Sequence, residues 1–177
     1  MAVGVRPIRI RPEQNDDYEA ITEVHRLAFG RDNEGRLVER LRDAPAYHPG
    51  LSLVAVDENR IVGHILFSLI AIESEGNWIP ALALAPLAVI PDRQCQGVGA
   101  ALVEQGILTC HKFGHRIIIV LGHAEYYPHF GFQPASRFGI RCPFPVPDEV
   151  FMVLVLSPGV LKAVQGTVVY PELFKEV

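Results

Sequence analysis

Apolar and polar positions follow two different periods along this chain, and the switches between them mark the elements. Residues 5–11 alternate apolar and basic, which predicts a strand stopped by Pro12. Asp16 or Asp17 can then cap a helix that carries Ile21, Val24 and Ala28 on one face. Residues 29–33 break it. A second, charged helix over 34–42 turns Leu37, Val38 and Leu41 inward and closes at Ala44-Pro45. Residues 51–56, 61–72 and 78–89 read as three strands. Short polar turns at 57–60 and 73–77 join them, so they form an antiparallel meander. The period then returns to helical over 98–113, with Val98, Ala101, Leu102 and Leu108 near one face and Gly114 as the stop. Residues 116–121 are a continuous β-branched run, as in a buried strand. Strand, helix and strand in that order form a βαβ crossover, which makes the two strands parallel. A short helix over 124–130, strands over 132–141 and 149–156, and a tail over 161–177 packed on the sheet complete the pattern. The fold class is α+β: one domain over residues 1–177, a mixed, mostly antiparallel sheet with flanking helices.

Composition narrows the class. Of 177 residues 49% are hydrophobic and 20% charged, enough to form a core and too apolar for disorder. The net charge of −4, with no block of Lys or Arg, favours neither nucleic acid nor an anionic membrane surface. Residues 79–90 are apolar but carry Pro80 and Pro86 and are too short to span a bilayer. No leader pattern opens the chain. Cys95, Cys110 and Cys142 are odd in number and form no C-x-x-C pair, which fits a reduced, cytoplasmic protein without a thiolate metal site. His111 and His115 are four apart, but Gly114 interrupts the helix between them and no third ligand is adjacent, so no metal is expected. His25, His48 and His64 stand alone in the sequence.

The chemistry concentrates at residues 93–102, Arg-Gln-Cys-Gln-Gly-Val-Gly-Ala-Ala-Leu. Two glycines sit where a strand hands over to a helix, so the first backbone amides of the helix converge at its positive end. That geometry suits a phosphate; a tight turn with glycines for close packing is the plainer reading. Pro86, inside the preceding strand, has no N–H to give. The strand therefore bulges or lies beside a gap in the sheet, unless it is an edge that tolerates proline. Beside a gap, Leu87, Ala88 and Val89 would offer free backbone groups to an extended ligand.

These features resemble the GNAT superfamily of N-acetyltransferases. Its Q/R-x-x-G-x-G/A signature is matched by Gln94, Gly97 and Gly99. A tyrosine four residues before a Gly-Phe pair is matched by Tyr127 before Gly131-Phe132. Ala85-Pro86-Leu87-Ala88-Val89, Phe29-Gly30-Arg31-Asp32, residues 37–42 and residues 166–171 extend the likeness to a bacterial group of predicted, mostly uncharacterised members. The resemblance implies the GNAT acyl-CoA N-acyltransferase fold with splayed central strands, and acetyl-CoA as cosubstrate. It implies that Gln96, Gly97, Val98, Gly99 and Ala100 hold the pyrophosphate, with Gln94 and Cys95 flanking it. Leu87, Ala88 and Val89 would line the pantetheine arm, and Arg93 can add charge or sit solvated. It also implies direct attack by an amine on the thioester. Val89 N–H would polarise the carbonyl, and Tyr127 would hydrogen-bond the departing sulfur.

An amine of pKa ~10.4 needs roughly 4.6 kcal/mol to lose its proton at pH 7, one of pKa ~7.8 only about 1, so the need for a base depends on the acceptor. Glu34, Glu73, Glu75, Glu125 and His123 are the candidates. The first helices, the 73–77 turn and the final hairpin should border a small-molecule or peptide amine. Exposed strand edges leave room for a homodimer. A Rossmann site fails because Leu102 replaces the third glycine, and a P-loop fails for lack of Gly-Lys-Ser/Thr. An acyl-CoA sensor of the same fold, without turnover, is the rival reading.

Overall fold

The computed structural model describes residues 7–162 and 164–177. Val5 and Arg6, which begin the expected first strand, lie outside the described residues. Strand β1 spans Arg9–Pro12. Pro12 belongs to it because β1 is an edge strand, where a missing N–H breaks no ladder on the open side. Asp16 and Asp17 fall in a 3-10 turn, Asn15–Asp17, ahead of helix α1, Tyr18–Phe29. Asp17 makes no side-chain cap to α1; it accepts from Gln14 N–H at 2.8 Å and pairs with Arg11, tying β1 to the helix entrance. Helix α2 spans Asn33–Arg42.

The meander forms as its alternation predicts: β2 Ser52–Asp57, β3 Arg60–Ser74 and β4 Asn77–Val89, all antiparallel. Helix α3, Val98–Lys112, then crosses to β5, Ile117–Leu121, which runs parallel to β4. The sheet order is β1-β2-β3-β4-β5-β8-β6, with β8 at Phe151–Val155 and β6 at Gln133–Pro134.

Three expectations need correction. Residues 132–141 are not one strand: β6 is only Gln133–Pro134, a 3-10 turn follows at Ala135–Phe138, and β7 is Ile140–Arg141. Pro134 cannot continue a ladder, so pairing stops there. The short helix expected over 124–130 forms only over Tyr127–Phe130, as a 3-10 helix. The tail does more than cover the sheet. Gly166–Val169 enters it as β9, pairing with β3 and β7.

The two faces of the sheet carry separate cores. On one, Ile21 of α1 and Leu37, Val38 and Leu41 of α2 pack with Ile119 and Phe174. On the other, Val98, Leu102 and Val103 of α3 pack with Phe67, Leu82 and Ile118. Each such aliphatic side chain contributes about 1.5–3 kcal/mol when fully buried, which pins the first turn of α3 to the sheet. Leu108 does not join them; it is 63% exposed, on the outer side of α3. Among the described residues no helix is long and apolar enough to cross a membrane.

Candidate active site

Pro86 interrupts the pairing of β4 with β3. The register steps between Ile65 and Phe67, which face Leu87 and Leu84, so Ala85-Pro86 lies in a bulge. On its other edge β4 holds β5 only at Leu82–Ile118 and Ala83–Ile119. Beyond Ala83 the two strands part. Ile90 N–H donates to Val62 C=O on β3, and backbone groups alternate in direction along a strand. Ala88 therefore faces β3, while the amides of Leu87 and Val89 face the gap.

The turn after β4 leads into α3. Gly97 is the N-cap, with φ +83°, a left-handed conformation that glycine adopts without Cβ strain. No side chain caps α3 and its first turn carries no acid, so its leading amides keep their donor capacity and positive field. Gln94 and Arg93 both brace the turn. Gln94 Nε2 donates to Val89 C=O at 2.9 Å, so it closes the turn onto the strand. Arg93 is partly exposed; it pairs with Asp57 at the end of β2 and donates from Nη1 to Gln96 Oε1 within the turn at 3.3 Å. Arg60–Asp92, at 3.2 Å, adds a second tie between this turn and the β2–β3 hairpin. Cys95 is exposed, with φ +58°.

Across the gap lie two tyrosines. A Cβ on Gly99 would stand 3.0 Å from Tyr126 Oη, so this glycine and Tyr126 face each other over the mouth. Tyr127 is only 6% exposed, and its ring covers Gly122, the residue after β5. Burial, and then the neighbouring Tyr126, push the Tyr127 hydroxyl well above the usual phenol range.

On the opposite face, a cleft of about 550 Å³ reaches the place where β4 and β5 part. Ala83, Ala85, Ile119 and Leu121 come from the two strands. Phe144, Tyr170 and Phe174 form an aromatic side, with ring centroids 5.5 and 5.4 Å apart in sequence. Glu34 also lines it, 5% exposed and gripped by Arg31, whose Nε donates to both carboxylate oxygens at 3.0 and 3.2 Å.

Of the candidate bases, Glu34 alone lines this cleft; Glu73, Glu75, His123 and Glu125 do not. The 73–77 turn is also absent from its walls, and Glu73 Oε1 instead accepts from Gly76 N–H within that turn. Of the aromatic side, Phe144 belongs to the final hairpin expected to border the acceptor, whereas Tyr170 and Phe174 come from the tail, which has no helical or strand periodicity. His25 and His64, expected to stand alone, are hydrogen-bonded to each other in the core. Among the described residues no group of three metal-ligating side chains occurs.

Comparison with known proteins agrees with this geometry. Residues 9–135 match the model of a family described as acetyltransferase (GNAT) domain. The chain is 42% identical over 134 residues to YjhQ of Escherichia coli K12, an uncharacterised N-acetyltransferase, covering 75% of this chain and 74% of that protein. It is 32% identical over 166 residues to YhbS of the same strain, also an uncharacterised N-acetyltransferase, covering 93% and 97%. The crystal structure of YhbS from Escherichia coli in complex with CoA superposes with a TM-score of 0.88, over 95% of this chain and 92% of that one. A GNAT family acetyltransferase from Brucella melitensis in complex with acetyl-CoA, 31% identical, gives 0.77 over 95% and 98%.

Proposed function

The chain belongs to the GNAT family of N-acetyltransferases, and from that premise we propose that it moves the acetyl group of acetyl-CoA to a primary amine by direct attack on the thioester. One observation carries the reading. The unpaired edge of β4, the glycine turn and the cleft on the other face all meet where β4 parts from β5. A thioester lying in the gap is then open to the donor side and to the acceptor side at once.

The residues fit the donor. Leading amides of α3 around Gly97, Val98, Gly99 and Ala100 bind the pyrophosphate, and the bare Gly99 leaves the mouth open opposite Tyr126. Gln96 Nε2 donates to Asp92 C=O at 2.9 Å, so its side chain stiffens the turn while its backbone shares in the cradle. The Val89 amide pairs with the pantetheine arm. Leu87, the first amide facing the gap after the bulge, is the better oxyanion donor than Val89, because it lies nearer the point where the strands part.

Tyr127 hydrogen-bonds the sulfur as charge develops on it. Its raised pKa keeps the hydroxyl protonated and makes full transfer to a thiolate uphill, so it acts as a donor of a hydrogen bond. The test is thiol release from acetyl-CoA with a panel of amino acids, alkylamines, polyamines, aminoglycosides and peptides. Release with at least one amine supports the proposal. Binding of acetyl-CoA without release from any of them would instead favour an acyl-CoA sensor.

A further inference from the structure

We infer that the cleft on the α2 face takes a primary amine carried on an apolar body, and that Arg31 and Glu34 act on that amine as one pair. The inference rests on acetyl transfer to an amine, as proposed above, and adds the class of acceptor.

Start with the walls. Ala83 and Ala85 leave room beside the parting strands, Ile119 and Leu121 are aliphatic, and Tyr170 and Phe174 present rings. A polyamine or an aminoglycoside placed here would lose hydration at several charged or hydroxyl groups and recover few hydrogen bonds. A hydrocarbon chain or ring would instead leave water at no such cost, gaining roughly 0.8 kcal/mol for each buried CH₂.

The charged groups in the lining are few and unequally placed. Lys175 is 62% exposed and held by Glu172 at 2.9 Å, so it belongs to the rim. Glu34 is the inner one, its side chain 7% exposed against 54% for Arg31. A bare carboxylate at this depth would attract the acceptor but hold it as ammonium, which has no lone pair to attack with. Arg31 cancels that charge through its two-oxygen grip and leaves Glu34 lone pairs that accept a hydrogen bond from a neutral amine. Apolar walls push in the same direction by disfavouring the ammonium.

The ammonium releases one proton to solvent. The neutral nitrogen then forms its bond to the acetyl carbon as the carbon–sulfur bond breaks. The second proton leaves the nitrogen and ends on the thiol of CoA. Arg31 is in this scheme a positioning residue, acting through Glu34.

The experiment is steady-state thiol release with propyl-, butyl-, pentyl- and hexylamine, which share one pKa class, set against putrescine and an aminoglycoside. The expected result is a kcat/KM that rises about three- to fourfold per added methylene until the cleft is filled. The Arg31→Gln variant, with urea unfolding to confirm that it stays folded without the partner of the buried Glu34, should move the midpoint of the kcat–pH profile up by about one unit, since the uncompensated Glu34 then favours bound ammonium. A flat or falling series, or preference for putrescine or the aminoglycoside, overturns the acceptor class and leaves acetyl transfer standing. An unmoved pH midpoint in Arg31→Gln overturns the role of the pair. No thiol release with any amine overturns this inference and the proposed function together.

Discussion

His25 Nε2 lies 2.9 Å from His64 Nδ1, and both rings are completely buried between α1 and the sheet. The other nitrogen of His64 is 2.8 Å from Ser52 Oγ and 3.5 Å from Glu13 Oε2, and Glu13 in turn pairs with Arg42 at 2.9 Å. The network sets the tautomers. If His64 donates from Nε2 toward Glu13, its Nδ1 accepts from His25 Nε2–H. The one ring nitrogen left without a partner is then an unprotonated His25 Nδ1. Either ring as a cation would bury an extra charge or strand an N–H, so both are neutral.

That neutrality predicts an acid-sensitive fold. Burial lowers His25 and His64, the first further depressed by His64 and Arg42, the second partly opposed by Glu13. Groups whose folded pKa is depressed take up protons first in the unfolded chain. Their stabilisation is present above about pH 6.5 and is lost as the pH falls below it, by up to about 1.4 kcal/mol per pH unit for each ring. Glu13, buried yet held below its usual range by His64, Arg42, Tyr47 and Ser52, adds a further loss only below about pH 4.5. Urea unfolding at pH 7.5, 6.5 and 5.5 should show the decline, and His25→Leu should halve its slope. A stability constant across that range would contradict the neutral pair.

Tyr127→Phe should lower kcat about 10- to 100-fold, the worth of one hydrogen bond to a charged atom. Affinity for acetyl-CoA should stay within about twofold, because the ring remains packed on Phe132 and Gly122. Parallel measurement of turnover and of acetyl-CoA binding by calorimetry separates the two effects. Equal turnover in the variant would remove Tyr127 from the chemistry.

Gly99→Val should abolish acetyl-CoA binding with little loss of stability in the free protein. Its Cβ would stand 3.0 Å from Tyr126 Oη, which is the movable end of a side chain, and 3.7 Å from Val89 Cγ2. The two methyl groups would then fill the mouth that the donor must cross. Thermal melting shows the result: acetyl-CoA raises the midpoint of the parent and leaves that of the variant unchanged. A retained shift would move the pyrophosphate elsewhere.

What could be read in the sequence follows the range of the interactions. The β2–β3–β4 meander and the crossover through α3 are legible because each is built from neighbours, with periods and turns that act over a few residues. Strand β9 is not, since its short Gly166–Val169 run gains its partners from β3, across the whole second half of the chain. The proposed donor side is legible for the same local reason, with Pro86, Gly97 and Gly99 on consecutive elements. The acceptor side is legible only in part. Glu34 is a candidate base from the sequence and the first helices an expected border, but nothing local brings Tyr170 and Phe174, from the far end of the described chain, into the same cleft. The His25–His64 contact spans 39 residues, and neither ring has a local signature.

Gly122 and Tyr127 should behave as a coupled pair. A Cβ on Gly122 would lie 2.4 Å from Tyr127 Cε2 and 3.1 Å from Cδ2, distances that a ring buried against Tyr126 and Phe132 cannot relieve by rotating in place. Gly122→Ala must therefore push the tyrosine off the end of β5, at about 1–3 kcal/mol in stability, the usual cost of overpacking a core. If the position of the hydroxyl is what matters for turnover, Gly122→Ala should lower kcat by about as much as Tyr127→Phe. The double variant should then be no slower than either single one, since both remove the same hydrogen bond. Four kcat values close this cycle, with urea unfolding of each variant to confirm that all are folded under assay conditions. Multiplying losses in the double variant would show that Gly122 and Tyr127 serve turnover separately.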